Sequence, residues 1–225
     1  MVMLTAGSAA QAGVVLTEGF DDITTLAGAG WSFVNNSSPV GTTGFFQGNA
    51  GVFGAQSGAD NSYIAANFNN AEFGGNISNW LISPTMNLFD GSTLSFFTRT
   101  DFASIADRLE IRLSLNGDSM DVGTTFDSVG DFTTLLTSIN AGLDPAGYPS
   151  DWTMISAKLS GITPEVGQLG RFAFRYTVPD TSVNGNYIGI DTLTLTVPEP
   201  SSIALFGLAL AGLGLVVRQR RTNAR

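Results

Sequence analysis

Carboxylates are the main reactive side chains of this 225-residue sequence, because it contains no histidine and no cysteine. That composition excludes Ser-His-Asp and Cys-His nucleophiles, zinc sites built from imidazole and thiolate, and disulfides. Asp191 is the most informative carboxylate. It has the strand parity of Leu193 and Leu195 and is predicted to face a core unless a bulge intervenes. A carboxylate aimed at a core is costly unless it is paired or binds a metal.

Three carboxylates near the start of the chain, Glu18, Asp21 and Asp22, are candidate partners for Asp191. Calcium takes about six to eight oxygen ligands and accepts carboxylates and backbone carbonyls. These residues therefore predict a structural calcium site, provided that the first and last strands are neighbours. In the alternative, Asp191 lies beyond a bulge and caps a turn, and Asp21 and Asp22 are solvated.

The remaining acidic residues match no catalytic or metal-binding motif. A second cluster does not have the spacing of an EF-hand and is predicted to be a solvated loop: Asp118, Asp121, Asp127 and Asp131. Paired carboxylates can hydrolyse glycosides, but such pairs arise by chance in so acidic a chain. No phosphate-binding glycine loop occurs. We therefore predict a protein that is not an enzyme, with a glycan-acting hydrolase as the minor alternative.

Two aromatic residues in a Gly/Pro-rich segment, Tyr148 and Trp152, are candidate glycan-binding residues. Aromatic faces stack on sugar rings, and nearby polar groups hydrogen-bond to sugar hydroxyls. A specific carbohydrate-binding module would expose both rings in a groove. The alternative is that Trp152, like Trp31 and Trp80, is a core residue.

The overall composition narrows the class of protein. The net charge is −9, the pI is about 4.2, and 43% of residues are hydrophobic. An acidic chain does not neutralise phosphates, so we expect no nucleic-acid partner. The apolar fraction is too high for a disordered chain. Residues 13–197 contain 18 acidic and six basic side chains, a net charge of −12.

Alternating apolar and polar residues predict strands along most of residues 13–197. Leu109, Ile111 and Leu113 share one face of a strand, as do Phe172, Phe174 and Tyr176. About ten such segments, separated by Gly, Asn, Asp and Pro clusters, predict an all-β, antiparallel two-sheet sandwich. If this sandwich has the jelly-roll topology, in which the first and last strands are neighbours, Asp191 lies near Asp21 and Asp22.

The two ends of the chain have the composition of targeting segments. Residues 1–12 end in Ala-Gln-Ala and are typical of a signal-peptide remnant that lacks its charged leader. At the other end, Pro198-Glu199-Pro200 precedes a 15-residue apolar run, Ile203 to Val217. As a hydrophobic helix this run is about 22 Å long, which is shorter than the hydrocarbon core of about 30 Å. It becomes just long enough to insert when Ser201 and Ser202 are included and the flanking arginines snorkel. Those arginines are predicted to stay cytoplasmic: Arg218, Arg220 and Arg221.

This C-terminal pattern resembles the PEP-CTERM sorting signal of Gram-negative bacteria. The resemblance implies transient inner-membrane insertion, processing by an exosortase-type membrane enzyme, and an organism that makes exopolysaccharide. The alternative is a plain single-span anchor. Residues 198–225 are accordingly predicted to be a sorting segment that follows a domain at 13–197.

A second resemblance covers most of that domain and depends on the order of several short motifs. Together they are similar to the choice-of-anchor J domain, a MAM-like jelly roll of secreted and cleaved-adhesin proteins: Glu18–Asp22, Gly30–Trp31, Asn79–Pro84, Leu94–Arg99, Asp107–Arg112, Gly147–Pro149 with Trp152, and Asn186–Asp191. The family implies an exported sandwich, and related sandwiches carry calcium between their terminal strands. We expect a cell-surface or extracellular-matrix protein that interacts with exopolysaccharide or matrix proteins.

Overall fold

Thirteen β-strands form the framework of the computed structural model, which describes residues 13–101, 105–163 and 167–198. Two short 3-10 helices, Ile23–Thr25 and Phe68–Asn70, interrupt the strands. The strands are β1 Gly13–Glu18, β2 Ser32–Asn35, β3 Ser38–Val40, β4 Phe46–Gln47, β5 Ile64–Asn67, β6 Ala71–Ile82, β7 Met86–Leu88, β8 Thr93–Thr100, β9 Leu109–Ser114, β10 Thr134–Ile139, β11 Thr153–Lys158, β12 Gln168–Val178 and β13 Tyr187–Val197.

These strands form two antiparallel sheets. The first sheet has the order β11-β8-β13-β5-β4, and β1 also pairs with β13. The second sheet has the order β10-β9-β12-β6-β2, with β3 added to β6 and β7 added to β12. Neighbours in the sheets are often distant in sequence, so the sandwich is held together mainly by long-range pairing.

The core lies between the two sheets and follows the alternation of the sequence. The predicted inward residues of β9 and β12 are all buried in one cluster, and Leu94, Phe96, Leu193 and Leu195 face them from the first sheet. Phe96 and Phe174 connect the layers through an edge-to-face contact with ring centroids 4.9 Å apart. Such pairs add to the stabilisation that comes from apolar burial.

The predicted all-β, two-sheet sandwich is confirmed, and β1 pairs with β13 as expected. The sequence pattern does not predict β3, β7 or β10. It also predicts only the last residues of β6, which starts at Ala71. The segment from 117 to 147, which includes the acidic cluster predicted to be a solvated loop, contains β10 at an edge of the second sheet.

The predicted targeting segments are almost entirely outside the described residues. Pro198 follows β13 directly and is exposed. Within 13–101, 105–163 and 167–198, no helix is long and apolar enough to cross a membrane. The following predictions lie outside those ranges: the remnant at 1–12, Glu199, Pro200, the segment Ile203 to Val217, and Arg218, Arg220 and Arg221.

Candidate functional site

A pocket lies where one edge of β13 changes partner. Along that edge β5 pairs with residues up to Ile190, and β1 pairs with residues from Leu193 onward. Between them the register of β13 shifts, and Thr192 adopts a φ of +49°. This bulge opens a pocket of about 300 Å³. Its lining comes from β1, the turn after β1, a surface loop and the bulge: Thr17, Glu18, Gly19, Asp21, Ser57, Gly58, Asp191, Thr192, Leu193 and Thr194.

The bulge changes the direction in which Asp191 points. Ile190 and Leu193 are both in the core, so strict alternation is broken between them and Asp191 lies on the outer face of the first sheet. The bulge that the prediction allowed for is present, and Asp191 therefore does not face the core between the sheets. Asp191 is nevertheless fully buried, because the loop at 52–58 covers it.

Asp191 accepts hydrogen bonds from backbone groups on two segments. The N–H groups of Gln56 and Ser57 donate to Oδ2 at 2.8 and 3.1 Å, and the N–H of Thr192 donates to Oδ1 at 2.5 Å. Burial raises the pKa of Asp191, while these N–H donors act in the opposite direction. Asp191 therefore caps the loop turn, which is the alternative considered for it above.

The other predicted calcium ligands are only partly brought together. Glu18 and Asp21 line the pocket with Asp191, but Glu18 Oε1 accepts the N–H of Phe20 at 2.8 Å. Asp22 does not line it and instead caps the first 3-10 helix through the N–H of Thr24. No three acidic side chains among the described residues form a group that could hold a metal ion. Calcium binding here stays a prediction.

A cluster of aromatic rings fixes the loop that covers Asp191. Phe53 stacks on Tyr63 with centroids 5.0 Å apart, and Tyr187 meets Phe53 edge-on at 5.3 Å. Trp152 packs edge-on against Phe53 at 5.5 Å, and its Nε1 donates to Gly54 O at 2.9 Å. The Arg99 guanidinium lies 4.4 Å from the centroid of the Phe53 ring. Trp152 is half-buried and packs against this outer cluster, so it is not a residue of the core between the sheets, and a glycan contact of Trp152 stays a prediction.

The proposed glycan contact of Tyr148 is wrong. Tyr148 is only 2% exposed and belongs to the core cluster between the sheets. Its hydroxyl lies 2.6 Å from Thr98 Oγ1, and Thr98 donates to Gly189 O at 2.6 Å. A ring enclosed in this way cannot stack on a sugar.

A second buried carboxylate, Asp107, was not predicted to be a site residue. Its Oδ1 accepts the hydroxyl of Tyr176 at 2.6 Å and the N–H of Asn186 at 2.7 Å. Its Oδ2 lies 2.5 Å from Thr100 Oγ1, and burial raises the pKa of Asp107. The sequence does indicate that Asp107 is buried, because Asp107 precedes the inward residues Leu109 and Ile111 at a spacing of two residues.

The second acidic cluster takes part in local turns, as predicted for a loop. Asp131 accepts Ser119 Oγ at 2.5 Å, and Asp121 accepts the N–H of Gly123 at 2.7 Å. Beneath this loop, Glu110 pairs with Arg112 at 2.7 Å and with Arg175 at 3.2 Å. The loop therefore covers a charged network on the outer face of the second sheet.

Comparison with known proteins identifies the C-terminal segment. Residues 196–221 match the PEP-CTERM protein-sorting motif. The match implies that the chain is exported and processed by an exosortase-type membrane enzyme on its way to the cell surface. The matched segment includes the last two residues of β13. No curated protein matches the chain.

Solved structures establish the fold of the preceding domain. The K1 cleaved adhesin domain of Lys-gingipain from Porphyromonas gingivalis W83 has a TM-score of 0.52 and 18% identity, over 81% of this chain and 98% of that one. The K3 domain from the same strain scores 0.52 at 17% identity, over 82% and 100%. The K2 domain scores 0.54 at 18%, over 81% and 99%. At these identities the likeness shows the fold alone, and the choice-of-anchor J assignment stays a prediction.

Proposed function

We propose that this chain is a non-enzymatic cell-surface or extracellular-matrix protein of a Gram-negative bacterium that associates with exopolysaccharide. The observation that carries the proposal is the direct passage from β13 into the sorting motif, which begins at residue 196. β13 is held by β8 on one side and by β5 and β1 on the other. Sorting at this motif therefore presents a folded acidic sandwich at the cell surface.

The hydrogen bonds that the pocket carboxylates accept from the backbone support a non-enzymatic role. Both oxygens of Asp191 accept backbone N–H groups, and one oxygen of Glu18 does the same. Carboxylates engaged in this way stabilise turns and are poorly placed to exchange protons with a substrate. The net charge of −12 on residues 13–197 favours partners that are not polyanions.

The sorting part of the proposal is tested in the producing bacterium. Replacing Pro198, Glu199 and Pro200 by alanine should leave an unprocessed chain in the inner-membrane fraction, whereas the wild type reaches the surface or the medium in a shortened form. Glu72→Ala, at an exposed position of β6, is the matched control and should be sorted normally. Normal sorting of the triple-alanine variant would overturn this part of the proposal.

The matrix part is tested by co-sedimentation of the full-length chain, in detergent, with the exopolysaccharide of the producing bacterium. Saturable pelleting is expected in calcium-containing buffer, and the same assay in chelator shows whether an ion contributes. Failure to pellet in both buffers would overturn the association with exopolysaccharide and would leave a surface domain with a protein partner.

A further inference from the structure

The outer face of the first sheet carries rows of hydroxyl groups near the C-terminal end of β13. Ser156 of β11 lies opposite Ser95 of β8, Ser95 lies opposite Thr194 of β13, and Thr194 lies opposite Thr17 of β1. Residues directly opposite each other in a sheet share a face. One row of four hydroxyl side chains therefore crosses four strands.

A second, shorter row lies beside the first. Thr93 of β8 and Thr196 of β13 are opposite each other, with Lys158 and Val14 at the two ends of their row. We call the six hydroxyl residues of both rows the hydroxyl face: Thr17, Thr93, Ser95, Ser156, Thr194 and Thr196.

The hydroxyl face is open to solvent. All six residues are exposed or half-buried, while their neighbours Leu94, Leu193 and Leu195 are buried in the core. Ser95 and Ser156 contact each other at 3.1 Å, and Thr196 donates to Thr93 O at 3.4 Å. Within the described ranges, no hydrogen bond to protein occupies the hydroxyls of Thr17 or Thr194. The face thus offers donors and acceptors that are not used by the fold.

The charge and spacing of these groups indicate the chemistry of a partner. Lys158 is the only charged side chain in the two rows. The rows therefore lack carboxylates, although residues 13–197 as a whole are strongly acidic. Neighbouring strands lie about 4.8 Å apart, so the row of four repeats a hydroxyl at that interval. This interval is close to the advance of one pyranose ring in an extended glycan. Exposed Val14 and Met154 beside the rows offer apolar surface for the C–H faces of sugars.

We infer that the hydroxyl face binds an extended, uncharged polysaccharide chain that runs across the strands. This inference rests on the proposed association with exopolysaccharide and assigns it to named residues. One sugar of the chain faces each strand, and hydroxyl groups of protein and glycan donate to and accept from each other. Because no ion pair is involved, binding should be nearly independent of salt.

The test is co-sedimentation of the full-length chain, in detergent, with the exopolysaccharide of the producing bacterium and with barley β-glucan. A triple variant, Thr17→Val, Ser95→Ala and Thr194→Val, removes three hydroxyls and keeps β-branched side chains where threonine stands. Its apparent affinity should fall about tenfold or more, since each of the three lost hydrogen bonds weakens binding at least about twofold. Thr134→Val, at an exposed position of β10 in the other sheet, is the control and should bind like the wild type. Matching melting curves show that the variants are folded.

The outcomes separate this inference from the proposal on which it rests. If the triple variant pellets with exopolysaccharide as well as the wild type does, the hydroxyl face is not the binding surface but the association stands. If 1 M salt abolishes pelleting of the wild type, the partner is bound by charge and the inference is overturned. If the wild type pellets with neither polysaccharide, both fail.

Discussion

Gly13 and Val197 lie directly opposite each other in the ladder between β1 and β13. Gly13 is the first residue of the first strand, and Val197 is the last residue of the last strand. The start of the sandwich is therefore paired with the residue that enters the sorting motif. β1 covers the edge of β13 along the five residues that precede Pro198, so its pairing determines how firmly the end of the domain is held.

The contribution of β1 can be measured with two adjacent substitutions. Leu16 is half-buried, packs against the core and lies opposite Leu195, whereas Val15 is 45% exposed at a bulge. Leu16→Asp should lower the free energy of unfolding by about 2–3 kcal/mol, because it places a charge at the core edge. Val15→Asp should change it by less than about 0.5 kcal/mol. Equal losses in denaturant titrations of the two variants would show that β1 is not docked as described.

Asp107 should make stability depend on pH. Thr100 Oγ1 lies 2.5 Å from Asp107 Oδ2 and 3.1 Å from Tyr187 O, and its single hydrogen cannot serve both. A protonated Asp107 resolves this, because it donates to Thr100 while Thr100 donates to Tyr187 O. Burial raises the pKa of Asp107 above its ordinary 3.8. The folded state therefore holds the proton more tightly, and this contribution is complete below about pH 4 and is lost as pH rises.

Asp107→Asn tests this interpretation, since the amide can donate to Thr100 and accept from Tyr176 and Asn186. The variant should gain stability relative to wild type as pH rises from 4 to 8 in urea titrations. Asp107→Ala should instead lose about 2–3 kcal/mol at every pH, because Tyr176 and Asn186 lose their buried acceptor. A loss of stability in Asp107→Asn that grows with pH would contradict a neutral Asp107.

The regular parts of the fold could be predicted because successive side chains of a strand point to opposite faces of the sheet, so a half-buried strand alternates apolar and polar residues. The alternating apolar residues of β9 and β12 all lie in the core cluster between the sheets, so alternation in the sequence locates both strands and their inward faces. β3 and β7 have three residues each, and the first half of β6 contains the Gly74–Gly75 pair. Those segments are strands because a neighbouring strand supplies their hydrogen bonds, and that tertiary effect leaves little pattern in the sequence.

The site was harder to predict because it depends on a break in the same alternation. The sequence predicts that Asp191 lies near Glu18, Asp21 and Asp22, since they adjoin the terminal strands. The structure brings all of them except Asp22 to the pocket. The sequence does not show that Thr192 takes a positive φ, which turns Asp191 onto the outer face. Nor does it show that Tyr148 enters the core, because its loop position is compatible with either a buried or an exposed ring.

Asp191 should stabilise the loop at 52–58 that covers it, whether or not the pocket binds a ligand. Asp191→Asn would point an amide N–H₂ at backbone N–H groups on one side, and Asp191→Ala would leave those of Gln56, Ser57 and Thr192 without their acceptor. Each variant should lose about 2–4 kcal/mol in denaturant titrations. Hydrogen exchange of residues 52–58 should accelerate in both. Asp60→Asn, at an exposed position of the same loop region, should show neither effect, and protection unchanged in Asp191→Ala would contradict the capping role.

Calcium binding at the pocket is tested by thermal unfolding of the purified chain in calcium and in chelator. If the ion connects the terminal strands through Glu18, Asp21 and Asp191, saturating calcium should raise the midpoint by several degrees, since it binds the folded state alone. Asp21→Asn should remove that shift while leaving the midpoint in chelator unchanged, because Asp21 is exposed. Asp22→Asn should keep the shift, since Asp22 caps the 3-10 helix outside the pocket. A midpoint that is the same in calcium and in chelator would contradict calcium binding, and the backbone donors of Asp191 would then account for that carboxylate by themselves.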